Sequence, residues 1–93
     1  MAKLTPELLE SKIVGSAYHQ FEGTTVTICC LTLENDHKTI GQSHCIDQSA
    51  FDVEKGKELA RKDAFSQLWD LYAFASREAT FQAVHSAENG TLA

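Results

Sequence analysis

Three cysteines and a histidine stand close together in this 93-residue chain, Cys29, Cys30, His44 and Cys45, and thiolates with imidazoles are ligands that zinc prefers. Their spacing argues against a metal centre. Cys29 and Cys30 are adjacent in a segment of strand character, so their side chains point to opposite faces, and no Cys-x-x-Cys pair accompanies them. A nucleophilic pair of Cys45 and His44 meets the same difficulty, because strand neighbours diverge and no third group orients the base. Catalytic residues, a metal and a cofactor are therefore not expected.

A nucleotide site draws on other residues: an aromatic ring to stack on the base, cations for phosphate, and polar groups for ribose hydroxyls. Tyr18, Phe21 and Trp69 supply rings, Arg61 and Arg77 supply guanidinium forks, and Thr25, Thr27, Ser43 and His44 fall near the open end of a hairpin. These nine are the candidate ligand-binding residues. Each also has a plain structural use, since aromatics fill cores, surface charges are solvated and threonine is an ordinary strand residue.

The elements that must position them can be read from pattern. Thr5, Pro6 and Glu7 are a cap, a first-turn proline and an acid facing the helix dipole, which start a helix. Leu9, Ile13 and Ala17 recur every four residues, so the helix is expected to run to about residue 20, with Gly23 breaking it. Thr24 to Leu33 is dense in β-branched residues and free of Gly, Pro and charge, a strong strand signal. Asn35-Asp36 suits a two-residue turn, and His37 to Ile46 returns as the second strand.

With that turn, Cys30 faces Gly41, Ile28 faces Ser43 and Val26 faces Cys45. One face then carries Val26, Ile28, Cys30 and Cys45, and the other Leu31, Leu33, Ile40 and Ile46 with Thr27, Gln42 and His44. Neither face is polar throughout. A two-stranded sheet of this kind needs cover on both faces, and a domain this small has little to spare, so a homo-oligomer is expected, a second subunit covering what the helices leave open. The plainer arrangement sets the first helix on one face and the long helix on the other.

Phe51 and Asp52 can staple and cap a last helix from Val53 to Glu88, which Asn89-Gly90 stops. At 1.5 Å per residue it would be about 54 Å long, so it either bends between Trp69 and Ser76 or projects and pairs. Gly56, Ala60 and Ala64 line one face where a backbone can come close. The expected fold is thus α+β in the order helix, two-stranded antiparallel hairpin, long C-terminal helix, one domain over residues 1–88 with a loose tail at 89–93.

Thirteen acidic residues against eight basic ones give a net charge of -5, which repels a phosphate backbone, so duplex nucleic acid is not an expected partner. No apolar run approaches the roughly 20 residues of a membrane span, and no secretory leader is seen. A soluble cytoplasmic protein with reduced thiols is expected.

Thr-Val-Thr-Ile-Cys-Cys-Leu-Thr-Leu at 25–33, a turn, Gly41-Gln42-Ser43, then Phe51-Asp52, Gly56, Ala60, Ala64 and Leu68-Trp69 form a pattern. Over about residues 10–72 it resembles the small phage proteins typified by phage N-4 gene product 49 and phage Sf-6 gene product 66. Members of that family look like Asn-Gly and an aromatic at the turn, where this chain has Asn35-Asp36-His37. The resemblance implies a tailed-phage or prophage origin and action in the bacterial host cytoplasm, without an assigned chemistry. Small, non-catalytic, oligomeric phage proteins include ones that sequester nucleotide signals of bacterial immunity. That analogy sets the leading expectation, an anti-defence sponge that holds an ADP-ribose-type or cyclic ADP-ribose signal without cleaving it. The alternatives are an accessory module that docks a host or phage protein, and a sponge for cyclic dinucleotides.

Overall fold

The computed structural model describes residues 3–89, with side chains described through His85. The Thr5 hydroxyl accepts the Leu8 amide at 3.1 Å and Pro6 opens the first turn, so a helix begins where expected. It is short: α1 spans Pro6–Ser11, and the chain then runs as strand β1, Ile13–Gln20. The expected helix to residue 20 is corrected here. Leu9, Ile13 and Ala17 imitate a helical stripe, but Ile13-Val14-Gly15-Ser16 are poor helix formers. The apolar strand β2, Thr27–Leu33, also has backbone groups on two edges to satisfy, and β1 pairs with one of them.

The sheet consequently has three antiparallel strands in the order β1-β2-β3, rather than the two of a hairpin, with β3 at Lys38–Ser43. The register of β2 and β3 is also one residue away from that expected: Cys29 faces Gly41, Cys30 faces Ile40 and Thr27 faces Ser43. A three-residue loop, Glu34 to Asp36, causes the shift. The Asp36 amide donates to Leu33 C=O at 2.8 Å, Leu33 N–H to His37 C=O at 2.8 Å, and Asp36 takes the left-handed conformation at φ 70°. One residue of slip turns all of β3 over. Thr39, Gly41 and Ser43 therefore join Thr27, Cys29, Leu31 and Leu33 on the buried face, and Ile40 moves to the other, 53% exposed.

Asp47 caps a short 3-10 turn, Gln48–Ala50, and the Asp52 carboxylate accepts from the amides of Glu54 and Lys55 to start α2, Val53–Asn89. α2 is one unbroken helix of 37 residues, about 55 Å long at 1.5 Å per residue, and it makes the molecule 63 Å long. It packs across β2 and β3 on the face that α1 also covers. Past Ala75 it projects beyond the sheet, leaving Phe81 and Val84 exposed, and Phe74, just before, is exposed as well. The expected tail lies, from Gly90 on, outside the described residues.

The packing under α2 grades from apolar to polar along the strands. Leu9, Leu33 and Leu68 close one end with Phe65 and Tyr72 against them; Cys29, Leu31, Ala60 and Ala64 fill the middle. In the middle the helix backbone rests on Gly41, where an added Cβ would lie 2.2 Å from Ala64 N and 2.3 Å from Ala60 O. Polar side chains stitch the two layers. Thr39 Oγ1 donates to Ala64 C=O at 3.1 Å, and Ser43 Oγ donates to Gly56 C=O at 2.7 Å. Among the described residues no helix lies over the opposite face of the sheet, with Ala17, Ile28, Cys30 and Ile40. Among the described residues no helix is long and apolar enough to cross a membrane.

Candidate functional site

The polar end of the interface opens into a cavity of about 390 Å³, bounded by the segment leaving β3, the 3-10 turn and the first two turns of α2. Its shape follows from local rules. The Thr25 hydroxyl donates to Cys45 C=O at 2.7 Å and accepts the Cys45 amide at 3.2 Å, which holds the segment after β3 against the β1–β2 connection. Asp47 Oδ1 takes the amide and hydroxyl of Ser49 and turns the chain back. Asp52 then fixes the first turn of α2, so that Lys55, Gly56 and Leu59 meet the cavity on one side of the helix.

The lining divides by chemistry. Phe51, Ile46 and Leu59 supply aromatic and aliphatic walls of the kind that hold a planar ring. Asp47 and Asp52 each spend Oδ1 on backbone, and among the described residues the second oxygen of each takes part in no hydrogen bond, so it can accept from a diol. His44 and the Lys55 ammonium are the cationic or donor groups; Lys55 pairs loosely with Glu58 at 3.7 Å on an exposed helix surface. Behind the cavity lies Thr27, 1% exposed, whose Oγ1 has no hydrogen-bond partner among the described residues; a Cβ on Gly56 would come within 2.9 Å of that oxygen.

Of the residues selected from sequence, the structure brings Thr25, Ser43 and His44 together in this cavity and puts Thr27 directly beneath it. The hydroxyls of Thr25 and Ser43 are engaged with backbone, so their first role is to shape the site. Tyr18 and Arg61 come together elsewhere, on the β1 side of α2. Arg61 forks onto the Glu10 carboxylate, which raises its guanidinium further above its ordinary value, and it lies near Tyr18 and Cys29. The Lys57 ammonium stands 5.8 Å from the centre of the Tyr18 ring. The buried Cys29 thiol beneath is pushed up by desolvation, against a lowering hydrogen bond from Tyr18.

Phe21 is exposed and meets His19 edge-on, ring centres 4.8 Å apart. Trp69 and Arg77 lie on α2 beyond the cavity, about 15 Å and about 27 Å along the axis from Leu59 at 1.5 Å per residue. The wall residues Phe51, Lys55 and Leu59 escaped sequence reasoning. Their signal was present in Phe51-Asp52 followed by Lys55, Gly56 and Leu59, a capped first turn with spacing that returns to one face. Among the described residues no group of three His, Cys, Asp or Glu side chains is arranged to hold a metal ion.

Residues 4–80 match the model of one protein family, the phage protein (N4 Gp49/phage Sf6 gene 66) family. Comparison with curated proteins and with solved structures gave no match.

Proposed function

The chain belongs to this phage protein family, and from that premise we propose that it is an anti-defence binding protein that sequesters a nucleotide-derived immune signal in the infected bacterium. The observation that carries the reading is the cavity at the start of α2, where an aromatic wall, two carboxylates with an open oxygen and a lysine converge. These are the complements of a base, a ribose diol and a phosphate. A volume of about 390 Å³ is within the usual range for small-molecule sites, and it suits a ligand with one base to bury better than one with two. An ADP-ribose-type or cyclic ADP-ribose molecule is therefore favoured over a cyclic dinucleotide. The protein holds this molecule intact.

Titration calorimetry against cyclic ADP-ribose, ADP-ribose and cyclic dinucleotides tests the reading. At least one single-base signal should bind with Kd below about 1 µM, and heating the complex should release it chemically unchanged. Failure of every member of the panel, or release of a cleaved product, overturns it.

A second reading is favoured by a different observation, the uncovered apolar surface of Phe74, Phe81 and Val84 on the projecting half of α2. Under it the chain docks a host or phage protein. Recovery of one stoichiometric protein partner, lost on replacing Phe74 and Phe81 together, supports that reading.

A further inference from the structure

The two edges of the sheet are finished differently. On β3, the outward Gln42 N–H donates to Asp63 Oδ2 at 2.9 Å and the outward Ile40 C=O accepts from the Gln67 amide, so α2 closes that edge. On β1, Phe21 N–H points inward to Val26 C=O at 3.2 Å. The alternation of an antiparallel ladder then turns the backbone groups of Ser16, Tyr18 and Gln20 outward. Among the described residues nothing bonds to them.

This open edge is eight residues long, Ile-Val-Gly-Ser-Ala-Tyr-His-Gln, and holds no Lys, Arg, Asp, Glu or Pro. Charge, proline, bulges and covering side chains are the usual means of keeping an edge from pairing; β1 has only an irregularity at its start, between Ile13 and Gly15, and the register from Ser16 to Gln20 is unbroken. The chain spends Asp63 and Gln67 on one edge and leaves the longer one bare.

We infer that the β1 edge pairs antiparallel with β1 of a second copy, joining two three-stranded sheets about a two-fold axis. Charge favours a second copy over a foreign strand. Chains of net charge -5 repel, and a strip without charged residues is where two of them can approach. A two-fold sets the strand against itself, so no like charges stand opposite one another, and Gly15, Ser16 and Ala17 leave room for the neighbour. An acidic peptide finds little here, because Arg61 is engaged by Glu10 and Lys57 lies over Tyr18 and 3.8 Å from Glu54. The outward residues recur every second position, so pairing centred near Ala17 or Tyr18 makes about four to six N–H···O bonds. The uncovered face with Ala17, Ile28, Cys30 and Ile40 then runs on across both copies. No residue of β1 lines the cavity, so this inference and the ligand reading fail separately.

Amide hydrogen exchange of the full chain, resolved by residue and paired with sedimentation equilibrium, tests the pairing. At ~100 µM the amides of Ser16, Tyr18 and Gln20 should exchange on the order of 100-fold more slowly than unpaired amides, and the protection should fade on dilution as the dimer dissociates. Ser16→Lys, which places two like charges on one face of the pair roughly 7–14 Å apart along the strands, should weaken the dimer measurably, and added salt should recover part of the loss. Ser16→Pro, which removes an outward N–H and no bond to β2, should give a monomer; Ser16→Lys keeps the test decisive should the proline variant not fold. A monomer at ~100 µM, a dimer whose three amides exchange as unpaired ones do, or a Ser16→Lys dimer of unchanged affinity overturns the inference.

Discussion

Gly41→Ala is the substitution that the packing of α2 on the sheet forbids most clearly. The new Cβ would lie 2.2 Å from Ala64 N, 2.3 Å from Ala60 O and 2.8 Å from Ala64 Cα. All three are helix backbone atoms, so no side chain can rotate away. Restoring contacts of about 3.5 Å requires α2 to lift by about 1 Å, because carbon atoms attract only near that separation. Lifting it opens the fully buried layer of Cys29, Leu31, Ala60 and Ala64 and stretches the bonds from Thr39 to Ala64 C=O and from Ser43 to Gly56 C=O. Overpacking alone costs about 1–3 kcal/mol, and two weakened hydrogen bonds add about 1–2 kcal/mol, for a total of roughly 2–5 kcal/mol. A domain of this length has about 5–14 kcal/mol of stability, so the variant should lose on the order of 20 °C in Tm. Urea unfolding followed by circular dichroism measures it. Gly15→Ala, where the nearest atom is at 3.8 Å, is the control and should change stability by less than about 1 kcal/mol. Ala60→Gly and Ala64→Gly should not rescue Gly41→Ala, since the clash involves no side chain. A Gly41→Ala protein within about 1 kcal/mol of the parent would refute the reasoning.

Three further outcomes follow from the same geometry. Thr27→Val removes a buried hydroxyl without a partner and should leave stability unchanged or raise it by about 1 kcal/mol by urea unfolding; a loss greater than that means the hydroxyl is bonded in solution. Burial raises the Cys29 thiol above its ordinary 9.0, so the stability it protects is fully present below pH 9 and declines as pH rises through the folded value. Unfolding curves of the parent and Cys29→Ala between pH 8 and pH 10.5 should therefore converge, and parallel curves count against the shift. At the cavity, Phe51→Ala should weaken ligand binding by roughly 5- to 150-fold, the 1–3 kcal/mol of a base stacked on an aromatic ring, whereas Trp69→Ala and Arg77→Ala should leave calorimetric affinity unaltered.

What could be read from sequence was what local chemistry decides. The β-branched density of β2, the Thr5 and Asp52 caps and the Gly56-Ala60-Ala64 stripe act within a few residues, and each appears in the fold, though β2 starts at Thr27 and not at the expected Thr24, and β3 spans Lys38–Ser43 within the expected 37–46. β1 was hidden because its strand form depends on pairing with β2, a separate segment that needs a partner for its second edge, and not on the residues next to it in sequence. The register was hidden because Asn35-Asp36 serves a two-residue turn as well as a three-residue loop. The choice falls to the fit of Gly41 under the helix backbone.

The candidate site divides along the same line. Thr25, Ser43 and His44 were placed at the open end of the strands from spacing alone, and they meet there. Phe51, Lys55 and Leu59 join them only because the 3-10 turn at Gln48–Ala50 folds α2 back over that end, a tertiary event. Tyr18 was expected at the end of a helix near the hairpin; as a residue of β1 it sits beside Arg61, on the far side of α2 from the cavity lining.

The central claim, that a nucleotide-derived signal is held at the start of α2, is tested most directly by an NMR titration of isotope-labelled protein with the tightest-binding member of the calorimetry panel. The shifted amides should cluster at Thr25, Ser43 to Asp47 and Phe51 to Leu59, with saturation at a fixed stoichiometry. Shifts centred instead on Trp69, Phe74 and Arg77, or on Tyr18 and Arg61, would contradict the account.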